Sequence, residues 1–396
     1  MHCTADVIVI GAGSTGCSIA FHLARSGVKT VLMDQGAVAS GPTGRSVAIL
    51  RQHYTHPAVS HLAQLSVPFF ANWRDEVGGD CGFVRTGFLT AVAVRDFEAL
   101  KANVHGQRSL GIEVELLSVD QMHKLIPDMV RTGLAGGAYE PAAGYCDPKT
   151  VSLALAQGVR RYGGIVLEGH RVHSVRVSGG AICGVDTSKG RFDAPVVVNA
   201  AGPWAASIAA TGGARLPITT SKHRVALIRE TEPTHLAFLP AYTELVNRFY
   251  IRPEVGGQYI VGSLDPVDSS TVNPDDCTPD ISDDSVLGHA TRAGGRFRRL
   301  KDARVVGGWA SMFDDTPDGN PIIGSDSSIR GSFVAAGLSG HGFKLCPVIG
   351  QAVAELITKG KTDVPIQIFS LERFAEGKPL KARHPYIGAP HGTLVS

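Results

Sequence analysis

The chain has 396 residues, 43% of them hydrophobic and 19% charged, a balance that builds a sizeable core and excludes a largely disordered protein. Thirty-eight basic residues against 36 acidic give a formal charge of +2. With no basic run standing out, nucleic acid and anionic lipid surfaces are excluded as main partners.

The N-terminus runs into a short strand with no basic leader and no long apolar stretch, and no window of 18 apolar residues follows. A soluble, cytoplasmic protein without a membrane span is expected. The seven cysteines (Cys3, Cys17, Cys81, Cys146, Cys183, Cys277 and Cys346) are odd in number and contain no C-x-x-C pair. They read as reduced thiols, with neither a disulfide framework nor a metal site.

Val7-Ile8-Val9-Ile10 is a β-branched run suited to a strand buried on both faces. Gly11-x-Gly13-x-x-Gly16 follows, and residues 18–25 read as a helix with Ile19 and Leu23 stacked four apart and Gly27 as its end. Thr30-Val31-Leu32-Met33 is a second strand ending at Asp34, which makes a right-handed β-α-β unit. Residues 194–199 lead as a strand into Ala200-Ala201-Gly202. Residues 332–336 lead into Gly337-Leu338-Ser339-Gly340-His341-Gly342 and an apolar helix through Leu356. The length suits two intertwined domains. The expected arrangement is a discontinuous dinucleotide domain (1–80, 143–213 and 316–372) interrupted by a substrate domain (81–142 and 214–315). A loosely packed extension, 373–396, follows.

The glycine motif gains its meaning from context: it follows a strand, opens a helix, and is followed 18 residues after Gly16 by an acidic strand end. Gly11 permits the tight turn, and Gly13 lets a pyrophosphate reach backbone N–H groups at the helix start. Gly16 lets helix and strand pack, and Asp34 suits a ribose hydroxyl while repelling a 2′-phosphate. After Asp34 the chain leaves the sheet into Gly41-Pro42-Thr43-Gly44-Arg45-Ser46, whereas nicotinamide dehydrogenases continue with further β-α repeats. That departure favours FAD over NAD.

The fingerprint resembles the D-amino-acid oxidase superfamily of flavoproteins, in the branch of sarcosine oxidases, glycine oxidase and dimethylglycine dehydrogenase. So do Thr43 to Ser46 with Arg51-Gln52-His53-Tyr54, Val198-Asn199-Ala200-Ala201-Gly202-Pro203-Trp204, Thr316-Pro317-Asp318, and above all Ala336 to Lys344. The resemblance spans nearly the whole chain. It implies an α/β fold in which a Rossmann-like FAD-binding domain carries an inserted antiparallel-sheet substrate domain. It further implies FAD contacts from Ile10, Gly11, Gly13, Ser14, Thr15, Gly16, Asp34, Gln35, Thr43, Gly44, Arg45, Ser46, Val172, Ala200, Ala201, Gly202, Trp204, Gly337, Ser339, Gly340, His341, Gly342 and Lys344. Arg51 and Lys344 match a pair that clamps the substrate carboxylate, and Tyr250 matches a substrate-lining tyrosine. His341 is a weaker candidate for proton transfer.

Three positions depart from the family pattern. Ser311 stands where monomeric sarcosine oxidases carry the cysteine that tethers flavin, so FAD is expected to be non-covalent. Cys146 stands where the heterotetrameric enzyme's beta subunit carries an FMN-bearing histidine. Ile260 stands where a lysine assists oxygen reduction. The reaction implied is oxidation of the C–N bond of a small secondary or N-methylated amino acid by hydride transfer to flavin N5, giving an imine that hydrolyses. Electrons pass to O2 or to a carrier. The alternatives are a dehydrogenase for a cyclic amino acid of the proline or hydroxyproline type, and a flavin-binding subunit of a larger amine oxidase complex. Partner subunits or a homo-oligomer remain open.

Overall fold

A computed structural model of the protein describes residues 3–231 and 239–387. Those parts of the expected domains that fall on residues 1–2, 232–238 and 388–396 lie outside the described residues.

The first unit is β1 (Val7–Ile10), α1 (Ser14–Arg25) and β2 (Thr30–Met33). Every residue of β1 and β2 is buried, as a strand covered on both faces must be. α1 begins four residues earlier than the apolar spacing predicts, inside the glycine motif. Gly13 takes extended angles (φ −73°, ψ 178°) as its N-cap and, lacking a side chain, contributes no capping bond of its own. The apolar pattern could not show this start, because the first turn exists to present backbone.

Beside β1 lies β3 (Val196–Asn199), parallel to it, and beside β3 lies β4 (Ser332–Ala336), also parallel. The strands Ile165–Leu167 and Ile322–Ser325 complete a six-stranded sheet, the second running antiparallel to β4. Three stretches of chain far apart in sequence thus meet in one parallel layer. α2 (Gly342–Lys359) packs on α1 at close range. A Cβ on Gly350 would overlap the Ser18 side chain, and one on Gly158, in the neighbouring helix Pro148–Arg161, would overlap the Phe21 ring.

A nine-stranded sheet draws its strands from residues 88–140 and 219–315. It is antiparallel throughout except where Ala241–Glu244 lies parallel to Phe88–Val92. Those two strands enter from separate passages of chain, so no hairpin dictates their relative direction. Alternation sorts the faces. Phe249 and Ile251 pack with Val286 and Ala293 of the helix Asp283–Arg296, while Tyr250, between them, points to the opposite face. A smaller antiparallel meander (Val172–Ser178, Ala181–Thr187, Gly190–Asp193) takes Cys3–Thr4 as a fourth, parallel strand. Among the described residues no helix is long and apolar enough to cross a membrane.

The loose packing expected after residue 373 is corrected for residues 380–387. Leu380 N donates to Asp318, Arg383 N to the Thr55 carbonyl and Ile387 N to Asp96, while Asn103 donates to the His384 carbonyl. Tyr386 is 4% exposed. The segment is anchored mainly through backbone groups, which a composition rich in Lys, Pro and His does not reveal.

Candidate active site

A single cavity of about 830 Å³ runs from the start of α1 to the inner face of the nine-stranded sheet. At one end Gly11 (φ +101°) makes the turn off β1, and a Cβ there would strike the Ala200 carbonyl. A Cβ on Gly13 would come 2.9 Å from Thr43 Oγ1, which accepts a hydrogen bond from Ser14 N at 3.2 Å. The helix start thus faces the cavity with Thr43 covering the Ser14 amide and no acidic side chain in its first turn to offset its partial positive charge. Asp34 closes this end. Its two carboxylate oxygens accept from Ala12 N at 2.7 Å and Gly36 N at 2.8 Å, and burial raises its pKa in spite of them.

Of the residues singled out in the sequence, Ile10, Gly11, Gly13, Ser14, Thr15, Asp34, Gln35, Thr43, Arg45, Ser46, Val172, Ala200, Ala201, Gly202 and Trp204 line the cavity. So do Gly340, Gly342, Lys344, Arg51 and Tyr250. Gly16, Gly44, Gly337, Ser339 and His341 do not; they stand behind the wall. A Cβ on Gly16 would overlap the Gly11 carbonyl, and one on Gly44 the Ala39 carbonyl. Gly337 (φ +66°) and Ser339 (φ 46°) shape the loop before α2. Ser339 Oγ accepts from Thr316 N at 3.2 Å, and Ser339 N donates to the Asp314 carbonyl at 3.0 Å. The glycine loop and the Thr316-Pro317-Asp318 turn are therefore one packed unit. His341 is wholly buried, edge-on to Tyr54 with ring centroids 5.1 Å apart. Burial, then Lys344 and Arg51, hold it neutral.

The substrate end is built around two buried cations. Arg51 is 4% and Lys344 5% exposed. The Arg51 guanidinium lies over the Tyr54 ring (4.0 Å to its centroid) and near Phe88 (5.6 Å). Its Nη1 donates to the His53 carbonyl, while Nη2 is buried with no acceptor among the described residues. Lys344 Nζ lies 5.9 Å from the same Tyr54 ring and donates weakly to the Gly340 carbonyl at 3.4 Å. Burial, and then the Arg51 charge, push the Lys344 pKa well below its usual value. Neither cation has a carboxylate within ion-pair distance among the described residues. Buried charge without a counter-charge is expensive, and an anion entering this end of the cavity would offset that cost.

Several wall residues carried no sequence signal. Tyr250 keeps its place because Gly262, opposite it across the strand pair, has no Cβ; a methyl there would overlap the phenol ring. His223 stacks on Phe313 (3.9 Å, 25°), and its Nε2 hydrogen-bonds Ser221 Oγ at 2.9 Å. At the other end Asp275 accepts from Trp204 Nε1 and from Arg171, both at 2.9 Å, drawing the 273–277 loop against the rim. Ser311 lines the cavity, whereas Ile260 sits in the core behind Tyr250 and Cys146 is buried 3.8 Å (Sγ to Sγ) from Cys81.

A strand, a glycine turn opening a helix, an acidic strand end and one long cavity define a dinucleotide-binding class of protein. The chain belongs to the FAD dependent oxidoreductase family, whose profile matches residues 6–356, and FAD is its cofactor. It is 28% identical over 388 residues to 4-methylaminobutanoate oxidase (formaldehyde-forming) of Paenarthrobacter nicotinovorans, matched over 93% of this chain and 45% of that protein. It therefore spans less than half of that relative. It is also 28% identical to the glycine oxidase of Geobacillus kaustophilus, over 93% of this chain and 97% of the relative. Among solved structures, the L-proline dehydrogenase from P. horikoshii superposes with a TM-score of 0.88 at 27% identity, over 96% of this chain and all of that one.

Proposed function

We propose that the protein oxidises the C–N bond of a small secondary or N-methylated amino acid, with the substrate carboxylate held between Arg51 and Lys344. The observation that carries this reading is a pair of buried basic side chains, without a carboxylate at ion-pair distance among the described residues, in the same cavity as the start of α1. FAD, when bound, supplies the hydride acceptor. The amides of Gly13 and Thr15 would hold its diphosphate, those of Gly11, Ala12 and Ser14 being engaged by Met33, Asp34 and Thr43; Asp34 and Gln35 would hold its ribose, and Thr43, Arg45 and Ser46 the chain beyond. Ser311 offers no thiol for a thioether, so the binding is non-covalent.

Arg51 and Lys344 orient the acid and, by their charge, lower the pKa of its nitrogen so that it binds as the free amine. Tyr250 and Phe88 wall the site with largely apolar surface that keeps water from competing for the cations. No strong base is needed for an amine already neutral. The likeness to an L-proline dehydrogenase favours a second reading, a cyclic amino acid as substrate, which the same clamp would serve. Anaerobic titration decides between them: sarcosine and other N-methyl acids are expected to bleach the flavin, with proline as the rival. Carboxylate-free amines bleaching as readily as the acids would overturn both. Measuring hydrogen peroxide against reduction of an artificial dye then separates oxidase from dehydrogenase.

A further inference from the structure

Arg51 is held by a chain of contacts that starts at the far end of the polypeptide. Its Nη1 donates to the His53 carbonyl, so the guanidinium is only as well placed as the turn carrying His53. Glu140 fixes the peptide groups of that turn, accepting from Gln52 N at 2.6 Å and His53 N at 3.0 Å. The His53 ring, wholly buried, is engaged at both nitrogens: Nδ1 with Gln107 Oε1 at 2.9 Å and Nε2 with the Tyr386 hydroxyl at 2.7 Å. Gln107 Nε2 donates to the Tyr54 carbonyl at 3.0 Å, which commits its oxygen to accept from His53 Nδ1–H. In a neutral ring that leaves Nε2 as an acceptor and Tyr386 as its donor. The two rings also stack, 6.1 Å apart and 13° from parallel.

Tyr386 is brought there by residues 380–387. This segment ties itself to Asp318, Thr55, Asn103 and Asp96. Neither Tyr386 nor His53 touches the cavity. We propose that residues 380–387 form a strap that positions the Arg51 guanidinium for anion binding, with Tyr386 the positioning residue acting through His53. The proposal rests on Arg51 being the carboxylate anchor. Removing the Tyr386 hydroxyl leaves His53 Nε2 a buried acceptor without its donor, and this loosens the 51–55 turn, whose remaining ties are Glu140 and Gln107 and whose His53 carbonyl holds the guanidinium. Among the described residues the Tyr386 side chain makes no hydrogen bond to Lys344, Gly13 or Asp34, so Tyr386→Phe is expected to leave FAD binding untouched.

The test uses the FAD-loaded enzyme with acetate as a bare carboxylate probe, read through the flavin visible spectrum. Tyr386→Phe, and separately a chain ending at Pro379, are expected to raise the acetate Kd and the KM of the acid substrate about three- to tenfold. Flavin content and kcat at saturation should stay within about twofold, and amide exchange over residues 51–55 should quicken. An acetate Kd within twofold of the parent for Tyr386→Phe overturns the strap. So does a loss of acetate affinity, kcat and flavin content together, which would mark a general structural role. Arg51→Ala is the control. If it leaves acetate binding intact, the carboxylate reading itself has failed, whatever Tyr386 does.

Discussion

Arg51 and Lys344 are charged groups in a place where solvent cannot screen them. A buried guanidinium with an unused Nη2 gains most from an acceptor that arrives with the substrate. With the proposed carboxylate clamp, Arg51→Ala is expected to cost about 2–4 kcal/mol in kcat/KM, because the carboxylate would then be buried against one cation and not two. Steady-state kinetics check it; a loss below about 1 kcal/mol, near fivefold, would remove Arg51 from the site. Glu140 is the nearby acid that keeps this from being a purely cationic corner. Burial raises its pKa to about 7, against the pull of two backbone N–H groups and Arg51. Because both its oxygens accept from backbone, Glu140→Gln would turn an amide NH2 toward an N–H. That mismatch is expected to destabilise the protein by about 1–3 kcal/mol, measurable by denaturant unfolding. The identities of Arg51, Lys344 and Tyr250 were legible in the sequence through the family resemblance; Glu140 and His53 were not proposed as supports, since their roles are hydrogen bonds to backbone.

At the scale of elements, the start of α1 and one strand pair do the positioning. Gly13→Ala would push Thr43 and narrow the approach to the helix amides. It is expected to lower the flavin content of purified protein with little change in far-UV circular dichroism. Full flavin occupancy in that variant would show that the diphosphate lies elsewhere. Gly262→Ala is expected to do the reverse, displacing Tyr250 from the cavity wall while the flavin end is untouched. Its signature is a raised KM at full flavin content. The β-α-β unit could be read in advance because it is local: a strand, a turn, a helix and a second strand lie between Val7 and Asp34. The start of α1 could not, since its first turn has no apolar pattern. Nor could the parallel pairing of Phe88–Val92 with Ala241–Glu244, which joins strands with no turn between them.

Across the whole molecule, buried histidines set the response to acid. Burial holds His22 and His53 at about 3 and His223 at about 4, whereas in the unfolded chain each takes a proton near about 6.5. Below that pH the unfolded state binds more protons, so stability falls as pH drops from 6.5 toward 4. The loss is up to about 1.4 kcal/mol per unit for each histidine. Glu140 and Asp314 oppose this: burial raises them to about 7 and about 6, so across the same window the folded state keeps their protons. His56, His289 and His341 are likewise held below the usual imidazole range by burial, and Asp34 and Asp315 above the usual carboxylate range; six groups against four leave a net loss, and Tm is expected to fall between pH 6.5 and pH 4.5. A Tm that rises on acidification would show that the carboxylates dominate. The Arg373 and Asp318 pair, joined at 2.9 and 3.0 Å and almost wholly buried, ties the chain after α2 to the Thr316-Pro317-Asp318 turn. Arg373→Met is expected to cost about 3–5 kcal/mol by leaving the buried carboxylate without its cation, measurable by denaturant unfolding.

By itself the amino-acid sequence determined the dinucleotide unit, its glycine turn and acidic strand end, and the residue types that could meet an acid. These are short-range patterns, enforced by backbone sterics and by the period of strand and helix. Only the tertiary structure decided which cations share a cavity, that Gly262 makes room for Tyr250, and that Tyr386 reaches His53 from 333 residues away. Alternation along a strand says that two faces exist but not what covers each, and composition does not say where a polar tail will find its hydrogen bonds. Those outcomes depend on packing between segments distant in the chain, which no local pattern carries.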